Sequence, residues 1–276
     1  MTFPPQAFII GAQKSATTSL AFLLDQHPSI TLANPKEPDF LTVHWERGID
    51  WYRSCFRHTD GILVDASVGY TMAPVTRTPA SEIVAPMRAH EISPDARFIY
   101  MVRDPARRCY SAYWHEVRAG REKRGLREAV ESGAYYVSAS YYFLQLSEFL
   151  KYFPLDRFLV VGFTEFSSNP QIVADKCLAF LGASPRPFNF QIGEPKNESF
   201  RYTLFGQTLQ KILGNDGLKE VSQLLAQLVP TGLKPYLKRV VSSDIPDISV
   251  EDYQWLSSRF HDDSVEFERL TGVRPI

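Results

Sequence analysis

The sequence has few cysteines and no long apolar run. Its three cysteines, Cys55, Cys109 and Cys177, are widely spaced and lack the CxxC or histidine spacing of a metal site, which predicts buried thiols in a reducing compartment. No apolar stretch approaches the roughly 18 residues that a membrane-spanning helix needs. The first residues also lack the basic and apolar regions of a signal peptide. We therefore expect a soluble, cytoplasmic protein without a transmembrane segment.

The sequence also has almost no net charge, because 30 Lys and Arg oppose 31 Asp and Glu. This balance argues against a nucleic-acid partner, which would require a strongly basic surface. Any anion site must therefore be built locally. The 276 residues suffice for one large α/β domain whose core needs no metal or disulfide, and we predict no metal site. Internal repeats, linkers and low-complexity tracts are absent from the sequence.

Residues 7–20, AFIIGAQKSATTSL, combine a short apolar strand, a tight turn at Gly11 and the start of a helix. The free backbone N–H groups and the dipole of such a helix start favour a bound phosphate. The loop lacks the second glycine of a nucleotide triphosphatase P-loop, so it suits a single terminal phosphate. The residues predicted to contribute are Lys14, Ser15, Ala16, Thr17, Thr18 and Ser19.

A second anion-binding element is predicted where RFIYMVRDP, residues 97–105, ends as a buried strand and delivers Arg103 to its carboxyl end. Asp104 and Pro105 are typical of a helix N-cap and first turn, and the helix carries Ser111 two turns further on. Ligands of open α/β sheets bind beyond the carboxyl ends of the strands. Arg103 and Ser111 are therefore expected to face the same crevice as the lysine loop, where the arginine can grip a phosphate.

Two carboxylates complete the set of candidate residues. Glu37 lies in NPKEPDFL, residues 34–41, where two prolines predict a stiff extended loop. Asp65 ends the apolar strand GILVDAS, residues 61–67, where a nucleotide triphosphatase would place a magnesium-binding aspartate. Alternatively, Glu37 pairs with a surface cation such as Lys36, and Arg103 pairs with Asp65 or Asp104.

Together these motifs resemble the sulfotransferases that use 3′-phosphoadenosine 5′-phosphosulfate, above all the heparan-sulfate or carbohydrate type and bacterial sulfotransferases. The G-x-x-K-[ST]-x-[TS]-[TS] loop is similar to their 5′-phosphosulfate loop. The R-D-P-x-x-R-x-x-S pattern resembles their 3′-phosphate element at Arg103 and Ser111. Glu37, followed by Phe40, resembles the segment that carries the family's catalytic base.

The resemblance implies roles for further residues. Lys14 would neutralise charge on the leaving phosphate, and Glu37 would accept the acceptor's proton. Near the C-terminus the family often has a basic residue and N-x-S over the nucleotide, which makes Lys196, Asn197 and Ser199 candidates. The segment 64–70 reads V-D-A-S-V-G-Y, with Ala66 and Val68 at positions where glycan enzymes have lysine and proline. This departure weakens the case for a highly anionic acceptor.

Alternation of strand and helix patterns predicts one α/β domain over residues 1–276, with a central parallel sheet of about five strands flanked by helices. The resemblance implies a P-loop NTPase-like fold, and leucine-spaced residues 203–240 predict a helical C-terminal cap over the acceptor cleft. The implied function is transfer of a sulfuryl group from 3′-phosphoadenosine 5′-phosphosulfate to a hydroxyl, or less readily an amine. The acceptor would be a carbohydrate, a glycolipid or a small-molecule natural product.

Two alternatives stay open at this point. The first is an ATP-dependent small-molecule kinase with an atypical P-loop, which would use Lys14 on ATP and Asp65 on magnesium. The second is a non-catalytic nucleotide-binding protein. Binding of adenosine 3′,5′-bisphosphate, the expected product, separates the kinase from the other two readings.

Overall fold

The computed structural model describes residues 3–73, 84–183, 188–192, 200–203 and 242–276, with three isolated positions at 208, 214 and 217. Short apolar runs form the strands of the central sheet, and most of the amphipathic stretches between them form helices. The strands are β1 (Ala7–Gly11), β2 (Ile30–Leu32), β3 (Ile62–Asp65), β4 (Arg97–Val102), β5 (Phe158–Gly162), β6 (Phe200–Tyr202) and β7 (Ser242–Asp244).

Nine α-helices lie in the described ranges: α1 (Thr17–Leu24), α2 (Gly48–Ser54), α3 (Val84–Ile92), α4 (Pro105–Arg118), α5 (Leu126–Glu131), α6 (Tyr142–Phe149), α7 (Phe163–Ser168), α8 (Pro170–Leu181) and α9 (Val250–Thr271). Short 3₁₀ turns cover Trp45–Arg47, Val68–Thr71, Tyr135–Ser140 and Leu155–Arg157. Within the ranges given above, no helix is long and apolar enough to cross a bilayer.

The central sheet confirms the predicted fold class. Its five strands run in the order β2-β3-β1-β4-β5 and all pair in parallel, while β6 and β7 form a separate antiparallel pair. Chain connections leave β1 towards one edge of the sheet and β4 towards the other. The topological switch therefore lies between the carboxyl ends of β1 and β4, where such sheets bind ligands.

Helices cover both faces of the sheet, as parallel strands require. On one face, Phe8, Phe98 and Phe158 stack across three neighbouring strands, with ring centroids 5.5 and 4.9 Å apart. The opposite face buries Ile9 and Ile99 against α1 and α8. This double layer fixes β1 and β4, and with them the loops that follow both strands.

Several element boundaries differ from those expected. The amphipathic pattern of residues 138–152 predicts one helix, but this segment is a 3₁₀ turn followed by α6. The charged stretch after α4 also has helical spacing, but it contains only the short α5. The spacing near the C-terminus predicts two helices, over 249–260 and 262–270, but the structure has one continuous helix, α9. Ser249 caps its start, accepting a hydrogen bond from the Asp252 N–H at 3.0 Å.

Two other expectations concern the cysteines and the cap. All three cysteines are buried free thiols, as predicted, and burial raises the pKa of Cys109 to about 11 and that of Cys177 to about 12. The predicted cap, residues 203–240, lies outside the described residues apart from residue 203 and the isolated positions 208, 214 and 217. It therefore remains a prediction, as does the extent of the domain over 1–276.

Candidate active site

The loop after β1 has the backbone shape of an anion nest. Lys14 and Ala16 both adopt left-handed conformations, with φ of 69° and 66°, so that successive N–H groups turn towards one side of the chain. The Ala12 N–H donates to the Met101 carbonyl at 2.6 Å, which ties the loop to β4. Gly11 is required here because a Cβ on it would lie 2.1 Å from the Thr71 hydroxyl oxygen.

The first turn of α1 leaves its polar groups available. Ala16 occupies the N-cap position and offers no side-chain acceptor, so the N–H groups of Thr17, Thr18 and Ser19 lack an intrahelical or capping partner. The Ser15 hydroxyl is fully buried and has no hydrogen-bond partner in the part of the chain described. It lies beside the Tyr142 phenol without completing a hydrogen bond to it. Such an orphaned donor beside a helix start suits an anionic ligand.

Positive charge is concentrated around Lys14. Burial and, in decreasing order of effect, the nearby guanidinium groups of Arg118, Arg103 and Arg108 together lower the pKa of this lysine to about 8. Burying an ammonium among like charges is unfavourable unless an anion joins them. The cluster therefore predicts strong local attraction for a phosphate or sulfate, in a chain that is nearly neutral as a whole.

The structure brings Arg103 to the lysine loop. The Arg103 Nη1 atom lies 3.5 Å from the Lys14 carbonyl oxygen, and its guanidinium stacks over the Phe163 ring at 4.6 Å. The Tyr142 hydroxyl donates to the Arg103 carbonyl at 2.8 Å. Burial lowers the pKa of Arg103. No ion pair joins Arg103 to Asp65 or Asp104 in the described structure, so the alternative pairing does not form.

Helix α4 presents a polar face towards the same crevice. Asp104 caps it by accepting from the Arg107 N–H at 2.7 Å, and Pro105 is its first residue, as the sequence predicted. Ser111 is buried at the second turn, and within the described ranges no hydrogen bond engages its hydroxyl. His115 and Arg118 follow at helical spacing, with the Arg118 guanidinium 3.0 Å from His115 Nδ1. Burial, Lys14 and Arg118 lower the pKa of His115 to about 4.

His115, Arg118 and Arg108 also act on Lys14, which the sequence patterns did not predict. The signal for the first two was available, because positions 111, 115 and 118 share one face of a helix. The role of Arg108 was not readable, because its partners come from residues 13, 136 and 140. These contacts exist only after the chain has folded.

Glu37 lies in the loop after β2, held against the end of β3. It forms an ion pair with Lys36, whose Nζ also donates to the Ala66 carbonyl at 3.1 Å. The Lys36 side chain is only 14% exposed, whereas that of Glu37 is 37% exposed. Glu37 therefore pairs with Lys36, as the alternative interpretation of the sequence predicted, but this lysine is largely buried. The ion pair fixes the carboxylate while leaving it open to solvent.

Asp65 has a structural environment. This fully buried carboxylate accepts hydrogen bonds from the Tyr52 and Tyr70 hydroxyls, both at 2.7 Å, and from the Ser67 N–H and hydroxyl at 3.0 and 2.6 Å. Burial raises the pKa of Asp65. With its oxygens engaged by the protein, Asp65 is not presented to a magnesium ion, and the kinase alternative loses its main support.

The C-terminal candidates Lys196, Asn197 and Ser199 lie outside the described residues. The strand β6, which begins at the next residue, packs against α4. The segment after β7 also reaches this helix, because the Tyr110 hydroxyl donates to the Pro246 carbonyl at 2.9 Å. The C-terminal part of the chain thus borders the helix that carries Ser111.

Comparison with known proteins identifies relatives. The profile of the sulfotransferase domain family matches residues 4–202. Human heparan sulfate glucosamine 3-O-sulfotransferase 6 is 34% identical over 189 residues, covering 64% of this chain and 52% of that protein. The mouse bifunctional heparan sulfate N-deacetylase/N-sulfotransferase 3 is 26% identical over 291 residues, covering 96% of this chain and 30% of that protein. This chain thus spans about half or less of the length of these relatives.

A solved sulfotransferase from Alicyclobacillus acidocaldarius has the same fold. It superposes with a TM-score of 0.68 over 99% of this chain and 98% of its own, at 23% sequence identity. The family match covers most of the chain and includes both the lysine loop and the Arg103 element. The chain therefore belongs to the sulfotransferase domain family.

Proposed function

We propose that this protein transfers a sulfuryl group from 3′-phosphoadenosine 5′-phosphosulfate to a hydroxyl, or less readily an amine. The observation that carries the proposal is the meeting of Arg103 with the Lys14 loop at the switch point of the sheet. Two separate groups of anion-binding residues then face one crevice, as a ligand with phosphates at both ends requires. Family membership supports the same reaction class.

The residues present suit this donor. The nest at Lys14 and Ala16, the open N–H groups of α1 and the orphaned Ser15 hydroxyl form a compact site for the 5′-phosphosulfate. Arg103 and Ser111 would hold the 3′-phosphate, since a guanidinium can bind a phosphate with two parallel hydrogen bonds. When bound, the donor supplies an activated sulfuryl group with a phosphate as its leaving group.

Lys14 would act on the leaving phosphate oxygen. Its ammonium group is preorganised among other cations, so it stabilises negative charge that grows there during transfer. Because such stabilisation comes from fixed protein groups, this scheme does not depend on a metal. The candidate C-terminal residues Lys196, Asn197 and Ser199 remain proposed donor contacts.

Glu37 would accept the proton of the attacking hydroxyl. Lys36 holds the carboxylate in place, and the partial exposure of Glu37 leaves it accessible to an acceptor. A general base must come within about 3 Å of the proton donor, so the acceptor has to reach this loop.

The proposed acceptor is a carbohydrate, a glycolipid or a small-molecule natural product. The names of the relatives describe a heparan sulfate glucosamine 3-O-sulfotransferase in one case and a heparan sulfate N-sulfotransferase in the other. In this chain, Ala66 and Val68 are both buried, and neither contributes a cation to the acceptor side. We therefore favour an acceptor with fewer negative charges than heparan sulfate.

The experiment is a turnover assay that measures adenosine 3′,5′-bisphosphate released from the donor in the presence of sugars, glycolipids and phenolic or alcoholic natural products. We expect release only with an acceptor, and loss of release in Lys14→Ala and Glu37→Gln. A parallel assay with ATP and magnesium tests the kinase alternative, and phosphate transfer there would contradict the proposal. Binding of the bisphosphate without turnover on any acceptor would favour a non-catalytic nucleotide-binding protein.

A further inference from the structure

Arg108 is a fully buried arginine without an anionic partner. Its side chain is 0% exposed, and no carboxylate of the described residues lies within ion-pair distance. Other arginines of the chain do have carboxylate partners: Arg57, Arg121, Arg124, Arg127, Arg157, Arg269 and Arg274. Burying a charge without a counter-charge is unfavourable, because the charge loses its hydration and gains no opposite charge in return. An arginine kept in such a place therefore calls for an explanation.

The contacts of Arg108 place it directly behind the donor loop. Its Nη1 donates to the Gln13 carbonyl at 3.4 Å, one residue before Lys14. Its Nε donates to the Ser140 hydroxyl at 2.6 Å and its Nη2 to the Tyr136 carbonyl at 2.5 Å. Ser140 in turn donates to the Pro105 carbonyl at 2.9 Å. The guanidinium thus joins the loop to α4 and to the 3₁₀ turn Tyr135–Ser140.

Arg108 acts on the loop through its charge as well as through its hydrogen bonds. Its guanidinium is one of the groups that lower the pKa of Lys14. In a site of low dielectric, two cations this close raise each other's energy, and an anion bound between the loop and Arg103 relieves both. The missing counter-charge of Arg108 is then the ligand itself, although the arginine is too deeply buried to touch it.

We propose that Arg108 is a positioning residue for the donor: it braces the loop through the Gln13 carbonyl and supplies a buried positive charge whose partner is the bound phosphate. The proposal rests on the proposed function, because it assumes a phosphate ligand at this loop. Arg108 thus makes two contributions, its hydrogen bond to the Gln13 carbonyl and its positive charge, and different substitutions can remove each of them.

The test measures the affinity for adenosine 3′,5′-bisphosphate by calorimetry between about pH 6.5 and 9.5. The variants are Arg108→Gln, which removes the charge but keeps a donor, and Arg108→Lys, which keeps the charge but loses the fork of hydrogen bonds. Arg97→Gln is the matched control. Arg97 also donates to a carbonyl, that of Phe180 at 2.5 Å, but it lies at the amino end of β4, away from the loop.

The wild-type affinity should begin to fall above about pH 8, where Lys14 loses its proton. Among the described residues, the charged and titratable groups that act on Lys14 are Arg103, Arg108, Arg118 and His115. Arg108→Gln should weaken binding at neutral pH by about tenfold or more. It should also move the onset of the fall to higher pH, because one of the cations that depress the pKa of Lys14 has gone. A purely structural role would not move this onset.

Arg108→Lys should weaken binding while leaving the onset unchanged, and Arg97→Gln should match the wild type in both. Wild-type affinity and onset in Arg108→Gln would overturn the proposal. If the glutamine variant does not fold, Ser140→Ala decides: it removes one anchor of the guanidinium, so binding should weaken with an unchanged onset, and wild-type affinity there overturns the proposal. Failure of the wild type to bind the bisphosphate would instead overturn the proposed function and this inference together.

Discussion

The environment of Lys14 differs strongly from that of a surface lysine. It sits in a left-handed backbone conformation beside an uncapped helix start, and three arginines act on it. Its charge is thus held where solvent cannot fully screen it. This makes the residue an effective partner for a phosphate, and it also makes the site sensitive to pH in a range that ordinary lysines do not reach.

Bisphosphate binding should be linked to proton uptake near pH 8. The pKa of Lys14 is lowered to about 8 in the free protein, and a bound anion raises it again. Affinity should therefore fall up to about tenfold per pH unit above 8. Calorimetry in buffers of different ionisation enthalpy measures the protons taken up. A pH-independent affinity from 7 to 9.5, with no buffer dependence, would contradict this role of Lys14.

Glu37→Gln should reduce turnover without reducing donor affinity. The amide keeps the shape of the side chain but cannot accept a proton, so kcat should fall by about 10² to 10⁴ while bisphosphate binding stays as in the wild type. The matched control is Glu165→Gln, a surface glutamate on α7 paired with Lys176 at 3.3 Å, which should change neither. Equal turnover in Glu37→Gln and wild type would rule Glu37 out as the base.

At the scale of elements, Asp65 joins three separate parts of the chain. It ends β3, accepts from Tyr52 of α2 and accepts from Tyr70 of the turn after β3. The same turn reaches β1 through the Thr71 hydroxyl, which donates to the Ile10 carbonyl at 2.7 Å. The network therefore sets the position of the Glu37 loop relative to the end of β1.

Tyr70→Phe should lower the free energy of unfolding by about 1 to 3 kcal/mol. The hydroxyl that is lost donates to buried Asp65 and accepts from the Leu41 N–H at 3.2 Å, so Asp65 loses one of its four hydrogen bonds and the Leu41 N–H loses this acceptor. Urea denaturation measures the change. Tyr152→Phe, at a largely exposed position, serves as the control and should leave stability unchanged. A Tyr70→Phe variant as stable as the wild type would mean that Asp65 does not organise these elements.

Helix α9 caps a different helix. The Asp263 carboxylate accepts from the Phe143 and Leu144 N–H groups at 3.0 Å each, which satisfies the start of α6, where Tyr141 offers no side-chain cap. Burial nevertheless raises the pKa of Asp263 to about 6. The C-terminal helix is thus bound to the body of the molecule by polar contacts as well as by its buried aromatic residues.

Asp263 should contribute a fall in stability as pH rises from about 4 to 6. The folded Asp263 keeps its proton up to about pH 6, whereas an unfolded aspartate releases it near pH 4. At this carboxyl the folded state therefore binds more protons in this window, which lowers the free energy of unfolding as pH rises and opposes the contribution of His115, whose pKa is lowered to about 4. Asp39, whose pKa burial also raises to about 6, adds to the same slope. Urea melts at several pH values should show a shallower slope in Asp263→Asn, and an unchanged slope would refute the assignment.

At the scale of the whole molecule, the strand order explains how much the sequence could predict. Each short apolar run has a clear end, so five parallel strands were readable, and Lys14 and Arg103 were placed together because each follows a strand at its carboxyl end. The sequence did not predict that α9 continues through His261, because packing against α4 and α6 stabilises this helix. The burial of Arg108 likewise depends on contacts between distant segments.

The acceptor side was less predictable than the donor side. Donor contacts come from backbone shape and helix starts, which local sequence specifies. The Glu37 loop is instead held by distant residues, because Lys36 donates to the Ala66 carbonyl and the Asp39 N–H donates to the Ser67 hydroxyl. The sequence also did not show that Asp65 is the centre of a hydrogen-bond network rather than a metal ligand. That role depends on Tyr52 and Tyr70, which contact Asp65 only in the folded chain. Local sequence patterns do not show which distant residues come into contact.

The central claim is that the ends of β1 and β4 grip one nucleotide between them. Calorimetric titration with adenosine 3′,5′-bisphosphate tests it most directly, on the wild type and on Arg103→Ala. We predict saturable binding of one ligand per chain, weakened about 100-fold in the variant, because the arginine holds a charged group that the loop does not reach. Equal affinity in the two proteins, or no binding by the wild type, would contradict the account.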